Sequence, residues 1–237
     1  MPKPARNAPV WSKEQRTPRR QAPSVATIVR TAIGLADSEG PEAVSMRRVA
    51  TALESGTASL YRYIESRDDL LDLMIDAVNG EGEPPAVSGD WRADLTAVAQ
   101  HLRATLIRHP WLGAELTGRP QLGANSLRLQ DIALTAAAGL TADITRATTI
   151  VGTVHAYVFG AVTLQLAEER AHRRTGLTKD EWRASMGPYI REVIASNEFP
   201  QINRRVLDAE DIDADQRFDF GLACVLDGIA ARARDLG

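Results

Sequence analysis

The feature that most constrains the fold is a helical repeat of apolar residues that runs almost without a break from Ser24 onward. In the first segment, Val25, Ile28, Val29 and Ala32 recur at the three- and four-residue spacing that places them on one helix face. We find no stretch that alternates apolar and polar residues with the period of two typical of a half-buried strand. Amphipathic helices bury their apolar faces against other helices, so the sequence predicts an all-α fold.

Capping residues and breakers divide the first part of the chain into helices. A serine stands directly before each of three periodic segments, where its hydroxyl can accept a hydrogen bond from a free backbone N–H. Asp69, three residues after Ser66, resembles the second residue of a capping box. The predicted elements are a helix after Ser24 that stops at Gly40-Pro41, a short helix after Ser45, a very short helix at Thr57–Ile64 and a helix from Ser66 to about Gly80.

The second part is also helical, and Gly80–Gly89, which is rich in glycine, proline and acids, separates it from the first. Thr141 starts a long helix that reaches about Arg174, and apolar and small residues occupy nearly every face between Ile150 and Leu166. A helix that is apolar all round is buried on all sides, so it must face its own domain and a second surface. The other predicted helices span about 91–108, 111–117, 123–139, 178–197, 199–208 and 214–236.

Charge is distributed unevenly along the chain. Residues 1–23 carry a net charge of +5, whereas the whole chain carries −3, which leaves −8 for the remainder. The prolines of this basic arm favour disorder, and the arm is either a solvated tail or a segment that meets an anionic partner. The sequence therefore predicts a disordered arm at 1–23, a head at 24–80 and a body at 90–237.

Composition limits the class of protein. The 237 residues are 44% hydrophobic and 25% charged, which is typical of a soluble globular protein large enough to bury a core. The single cysteine, Cys224, cannot form a disulfide within the chain, and the N-terminus lacks the apolar stretch of a signal peptide. No uninterrupted apolar run reaches the roughly 20 residues that span a bilayer. We therefore expect a cytoplasmic protein that does not contact a membrane.

The segment Ser45–Leu73, SMRRVATALESGTASLYRYIESRDDLLDL, carries the clearest functional signal. A short helix, the three-residue connection Glu54-Ser55-Gly56 and a second short helix form the layout of a helix-turn-helix motif. In such a motif the first helix crosses the phosphate backbone, and the second places its N-terminal side chains on base edges in the major groove. The sequence therefore predicts binding to double-stranded DNA.

Three parts of this segment, Met46–Ala50, Ser59–Ile64 and Ser66–Leu71, resemble the DNA-binding domain of the tetracycline-repressor (TetR) family. The likeness covers about Ser24–Asn79. It implies base contacts at the start of the second helix and phosphate contacts around it. The residues implied to contact DNA are Arg47, Thr57, Ala58, Ser59, Tyr61, Arg62, Tyr63 and Arg67.

Several of these residues also have an ordinary structural interpretation. Tyr61 and Tyr63 could be packing residues, while Arg47, Arg48 and Arg67 could be solvated charges. The turn departs from the family, which usually has glycine followed by an apolar residue where this chain has Glu54 and Ser55. A non-glycine residue in left-handed geometry costs about 1–2 kcal/mol. The turn is therefore either built differently or makes the head less stable.

The second part is similar to the tetracycline-repressor-like type of body at Trp91, Leu102–Pro110, Arg119-Pro120, Gly139 and Phe218–Ile229. The resemblance implies a homodimer in which the long helix and the final helix form a four-helix interface. Such a C2 dimer presents two recognition helices about 34–36 Å apart and therefore reads a palindromic operator. The residues assigned to the interface are Val154, Val158, Phe218, Leu222, Val225 and Ile229.

The resemblance also implies a small-molecule pocket inside the body. The candidate lining residues are Val98, Leu102, Trp111, Glu115, Arg119, Asp131 and Tyr157, although the aromatic ones could be plain core. Glu115 stands near the position where the family's namesake has a histidine for its metal-chelated antibiotic. We therefore expect an unidentified apolar or aromatic effector rather than tetracycline, held by one or two polar groups. The effector would favour a dimer whose heads no longer match the operator.

Other classes of protein find less support in the sequence. An enzyme is disfavoured because the sequence lacks a phosphate-cradling glycine motif, a GxSxG elbow and an HExxH motif. The four histidines lie on separate predicted helices, so we expect surface or core roles for them, with no metal site and no cofactor. A constitutive or architectural DNA-binding protein without an effector stays open, as does a helical adaptor that has lost DNA binding.

Overall fold

The computed structural model describes residues 10–12, 23–116 and 121–234, and within them it contains helices and no β-strand. The all-α prediction is therefore confirmed. The helices are α1 (Val25–Glu39), α2 (Met46–Ala52), α3 (Thr57–Leu60), α4 (Arg67–Asn79), α5 (Trp91–Arg108), α6 (Leu112–Glu115), α7 (Ala124–Ala138), α8 (Ile144–Thr175), α9 (Lys179–Ser196), α10 (Pro200–Asp208) and α11 (Ala214–Arg234).

The head consists of α1 to α4, and the three serines that the sequence marks as caps begin three of its helices. The hydroxyls of Ser24, Ser45 and Ser66 accept hydrogen bonds from backbone N–H groups three residues ahead, at 3.1, 3.2 and 3.0 Å. The helices enclose a core of fully buried side chains, which include Ile28, Val49, Leu60, Ile64, Leu70 and Met74. The head is therefore a rigid support for the turn between α2 and α3.

The body is a bundle in which α8 contacts α5, α7 and α11, and α5 also contacts α7. Its buried residues form a core that is continuous with that of the head, because α4 packs against both α1 and α7. The last helix of the head is thus also part of the wall of the body.

The central helix α8 is the longest in the chain, at 32 residues. By length and composition alone it could cross a membrane, which the sequence expectation overlooked because glycine, threonine and histidine interrupt the apolar run. Only 28% of its most apolar window is buried within the chain, although α8 contacts α5, α7 and α11. Much of its apolar and small-residue surface is therefore available for a further contact, as the sequence predicted.

Helices α9 and α10 contact each other but contribute little to the core. The capping box of α9 is formed by Thr178 and Glu181. Several large apolar side chains of this region are exposed, among them Trp182, Tyr189, Phe199, Ile202 and Leu207.

Part of the predicted disordered arm is ordered. Val10–Ser12 forms one turn of 3-10 helix against α4, and the side chain of Val10 is buried. The prediction of disorder is wrong for this turn, because a single apolar side chain finds a site on α4. The other residues of the arm up to 22 lie outside the described residues.

Candidate functional site

The connection between α2 and α3 adopts the left-handed turn that the sequence made questionable. Glu54 has φ +49°. The N–H of Ser55 donates to the carbonyl of Ala50 at 2.9 Å, and the N–H of Glu54 donates to that of Thr51 at 3.0 Å. This pair of bonds is a Schellman motif, whose left-handed residue is usually glycine. The chain therefore keeps the turn geometry and bears the strain of a glutamate within it.

The turn orients α3 so that its side chains divide between the core and the surface. Leu60 is fully buried, whereas Ala58 and Arg62 are exposed and Tyr61 is 50% exposed. Thr57 and Ser59 are partly exposed, and the hydroxyl of Ser59 accepts a hydrogen bond from Arg62 at 3.3 Å. The N-terminus of α3 thus presents small and polar groups that match the edges of bases in a major groove.

The arginines and the second tyrosine of the motif differ in their surroundings. Arg47 on α2 is exposed, whereas its neighbour Arg48 pairs with Glu39 of α1 at 2.7 Å. Tyr63 is partly buried and packs against the core of the head, with part of its side chain at the surface. Arg47 is therefore the better placed of the two arginines to meet a phosphate.

The guanidinium group of Arg67 makes two hydrogen bonds within the chain. Its Nε donates to the carbonyl of Val44 at 3.0 Å and its Nη2 to that of Pro41 at 2.8 Å. These bonds fasten the start of α4 to the connection between α1 and α2, and the other N–H groups of this exposed side chain remain available, so its role in phosphate binding stays a prediction. Guanidinium geometry suits this arrangement, since two of its N–H groups reach two carbonyls at once.

The body contains a cavity of about 180 Å³ between α4, α5, α7 and α8. Its apolar wall includes two residues expected from the sequence, Val98 and Leu102. The other lining residues are Asn79, Pro85, His101, Thr105, Leu116, Gln121, Ser126, Leu129, Gln130, His155 and Phe159.

Two of the polar residues that line this cavity are histidines, His101 and His155. The Nε2 atom of His101 is buried without a hydrogen-bond partner, which is unusual for a buried polar atom. Burial lowers the pKa of His101, with a smaller contribution from the charge of Arg108, and burial alone lowers the pKa of His155. Both imidazoles are thus held toward the neutral form, in which each ring offers one donor and one acceptor.

The other described residues that were expected to line a pocket lie elsewhere. Trp111 is buried and donates from Nε1 to Asp37 at 2.7 Å, while Asp131 is exposed on the outer face of α7. Tyr157 packs on Phe218 and donates to its carbonyl at 2.7 Å. Glu115 on α6 is not among the lining residues. These assignments are corrected, because Trp111 and Tyr157 have partners elsewhere in the chain, Asp131 faces solvent and Glu115 does not line the cavity.

Arg119, the remaining predicted pocket residue, lies outside the described residues. The sequence reasoning did not single out His101 and His155, because they belong to different helices. His101 follows Val98 by three residues and precedes Leu102, so its place on the same face of α5 was the available signal. In the part of the chain that the structure describes, no cluster of three or more histidine, cysteine or acidic side chains could hold a metal ion.

The residues assigned to a dimer interface also require correction. Val154, Val158, Phe218 and Leu222 are at most 2% exposed within the single chain. Val225 and Ile229 are partly buried and pack against the same core. The apolar periodicity correctly identified one face of α8 and α11, but this face joins the two helices within one chain. A partner would meet the opposite face.

Two family profiles match the chain. The description "Bacterial regulatory proteins, tetR family" applies to residues 28–74, and "Tetracyclin repressor-like, C-terminal domain" applies to residues 83–233. The second match alone covers more than half of the chain.

Similar proteins agree with these matches. The HTH-type transcriptional repressor DrrR1 of Streptomyces coeruleorubidus is 39% identical over 225 residues, which cover 93% of this chain and 83% of that protein. The crystal structure of apo ActR from Streptomyces coelicolor has a TM-score of 0.75 at 26% identity and covers 92% of this chain and 100% of that one. ActR in complex with actinorhodin has a TM-score of 0.71 at 29% identity, with 90% and 99% covered.

The helix-turn-helix surface, the cavity and both family matches lead to the same conclusion. This chain belongs to the TetR family and is a DNA-binding transcriptional repressor.

Proposed function

We propose that this repressor binds a palindromic operator as a homodimer and is released from it by a flat aromatic molecule that enters the body cavity. The observation that supports the DNA-binding part most directly is the exposed start of α3, held by the Schellman turn on a buried core. Thr57, Ala58 and Tyr61 would then face the major groove, with Arg47 on the adjoining phosphates. Because such a protein acts on the chromosome, we expect it in the cytoplasm.

The homodimer is supported by the outer faces of α8 and α11. Along α8 the exposed positions Gly152, Ala156, Gly160 and Leu164 recur every four residues, and Leu164 is 70% exposed. Along α11 the corresponding positions are Phe220, Cys224 and Gly228. Small residues at this spacing allow close approach of helices, and large exposed apolar side chains beside them favour burial against a partner. A C2 dimer would bury this face against its own copy.

The effector is inferred from the cavity wall. Leucine, valine and phenylalanine side chains would contact an apolar ring system, and the unpartnered Nε2 of His101 would bond a hydroxyl or carbonyl group. The similar protein ActR has been solved in complex with a small molecule, actinorhodin, which supports an effector in this body as well. We therefore infer an effector with an apolar ring system that carries a hydroxyl or carbonyl group.

The size of the cavity supports release by a shift of conformation. Its volume of about 180 Å³ is smaller than the roughly 300 Å³ at the lower end of drug-sized sites. An effector of this class would fit only when α5, α7 and α8 separate, so it binds better to an expanded body. Since α4 is part of the wall, expansion of the body would change the spacing of the two heads.

The test is a selection of bound DNA from a random pool at a stated salt concentration, followed by titration of the selected duplex with actinorhodin. We expect an enriched palindrome with half-sites one helical turn apart, and weaker binding of the duplex when the compound is present. Enrichment of a single half-site would contradict the dimer. Salt-sensitive binding without enrichment would favour an architectural protein.

A further inference from the structure

Helix α7 begins without a cap of its own. Its N-cap residue is Gly123, which has no side chain to accept from the first backbone N–H groups. Asp76 of α4 supplies the missing acceptor, because its Oδ1 lies 2.9 Å from the backbone nitrogens of both Asn125 and Ser126. These are the positions that an N-cap side chain normally satisfies, and a carboxylate also suits the positive end of the helix dipole.

Asp76 makes further hydrogen bonds with the first turn of α7. The carboxylate also accepts from the hydroxyl of Ser126 at 3.1 Å, and Asn125 returns a hydrogen bond to the backbone carbonyl of Asp76 at 3.1 Å. Asp76 is only 8% exposed. A side chain at Gly123 would place its Cβ 2.6 Å from the Cβ of Asp76 and closer still to the carboxylate. Glycine at this position therefore allows the carboxylate of one helix to cap the other.

The same junction borders the ligand cavity. Asn79, the last residue of α4, donates to the hydroxyl of Ser126 at 3.0 Å, and both side chains line the cavity. One turn further along α7, Leu129 and Gln130 line it as well. A movement of this wall must either carry α4 with it or break the hydrogen bonds to Asp76.

We propose that Asp76 is a positioning residue that couples the cavity to the DNA-binding head by making the first turn of α7 move with α4. The inference rests on the proposed function, since it concerns how occupation of the cavity reaches the operator. Coupling between two sites is reciprocal, so DNA bound to the head must alter α7 to the same degree in free energy. This reciprocity allows a test with DNA alone.

The experiment measures amide hydrogen exchange of the full-length protein with and without the DNA duplex that it selects. The reporter is the segment 129–132, whose amides bond within α7 rather than to Asp76. In the wild-type protein we expect DNA to slow exchange of this segment at least threefold. In Asp76→Ala we expect this effect of DNA to vanish, while α2 and α3 are still protected by DNA.

Two further substitutions separate coupling from stability. Asp76→Asn keeps one acceptor oxygen and should restore the effect of DNA on the reporter. Asp131→Ala removes an exposed carboxylate from the outer face of α7 and should leave the effect unchanged. Should Asp76→Ala fail to fold, Gly123→Ala would displace the first turn of α7 and should reduce the effect at least twofold. Its control is Gly113→Ala, where the added Cβ would make an ordinary contact with Leu106 at 3.7 Å.

The possible results are distinct. A wild-type reporter that does not respond to bound DNA overturns the coupling but leaves the proposed function intact. The coupling is also overturned if DNA slows exchange of the reporter as much in Asp76→Ala as in the wild-type protein. If Asp76→Ala does not fold, the same result in Gly123→Ala overturns it. A protein that selects no DNA overturns the proposed function, and the coupling with it.

Discussion

The imidazole of His109 lies between two carboxylates that belong to different parts of the molecule, with its Nδ1 2.8 Å from Asp37 of α1 and its Nε2 3.1 Å from Glu81. Carboxylates accept hydrogen bonds, so the imidazole bridges Asp37 and Glu81 through its two ring nitrogens. Burial would raise the pKa of Glu81, but the hydrogen bonds and charges of His109 and Arg108 outweigh it and hold this pKa below its usual range. His109 therefore joins the head to the body.

Substitution His109→Ala should destabilise the protein by about 2 kcal/mol, because two partly exposed carboxylates lose their shared donor. The side chain is 5% exposed in the structure, so water cannot replace it fully. Urea denaturation would measure the loss. His172→Ala, at the exposed end of α8, is the control and should change stability by less than about 0.5 kcal/mol. Equal effects of the two substitutions would contradict a role for His109 as a connection between the domains.

Substitution Glu54→Gly should stabilise the head. A glutamate at φ +49° bears a penalty of about 1–2 kcal/mol that glycine does not, although glycine also increases the entropy of the unfolded chain. We expect a net gain of about 0.5–1 kcal/mol in thermal unfolding. Glu54→Ala keeps the Cβ atom and should give no gain. If Glu54→Ala stabilised the head as much as Glu54→Gly, the gain would come from removing the glutamate side chain and not from relieving backbone strain.

Arg67 and Arg47 should respond differently to replacement by alanine. Arg67→Ala removes two hydrogen bonds to the carbonyls of Val44 and Pro41 and should cost about 2 kcal/mol of stability. Arg47→Ala should leave stability nearly unchanged, weaken binding to all DNA sequences and reduce the salt slope by about 1. Thermal unfolding and salt-dependent titration distinguish the two. An unchanged salt slope for Arg47→Ala would argue against its contact with phosphate.

The helices were largely predictable because local signals determine where they begin and end. Ser24, Ser45 and Ser66 cap them as the sequence indicated, and apolar spacing identified the buried faces. The one clear difference is α3, which ends at Leu60 rather than near Ile64. Residues 61–63 form a turn that leads into α4, and tertiary packing of Tyr63 and Ile64 rather than helix propensity determines this end.

The sites were less predictable because they depend on which helix each face meets. Phe218 has the spacing of an interface residue, yet it packs on Tyr157 inside the chain, and periodicity cannot distinguish the two kinds of burial. Arg67 has the position of a phosphate ligand, yet its carbonyl partners come from residues more than twenty positions earlier. Asp76 is an acid on an apolar helix face, and its partners on α7 become neighbours only in the folded chain.

The corrected interface gives a direct test of the dimer. Phe220 is 71% exposed on α11, whereas Phe218 is 2% exposed. Phe220→Asp should yield folded monomers in sedimentation, because it places a charge in the proposed contact. Phe218→Asp should instead unfold the body, which circular dichroism would detect. A dimer that survives Phe220→Asp would move the interface to another surface, such as the exposed apolar residues of α9 and α10.

The histidines of the cavity predict how stability depends on pH. Because burial lowers the pKa of His101 and His155, the folded protein binds protons at these sites less tightly than the unfolded chain does. Above the ordinary value of about 6.5 both states are neutral at these groups and no difference arises. As the pH falls through 6.5, the unfolded state takes up more protons, so the free energy of unfolding decreases.

The double variant His101→Gln with His155→Gln should therefore lose less stability than the wild-type protein between pH 7.5 and pH 5. Glutamine keeps a donor and an acceptor near the cavity but does not titrate. Urea midpoints at both pH values measure the difference, and the acidic residues common to both proteins cancel in the comparison. Identical losses would mean that both imidazoles protonate as easily in the folded protein as in the unfolded chain, and the cavity would then admit enough water to solvate a cation. An effector that needs neutral imidazoles would in that case bind less tightly at pH 5 than at pH 7.5, because both rings would be protonated at pH 5.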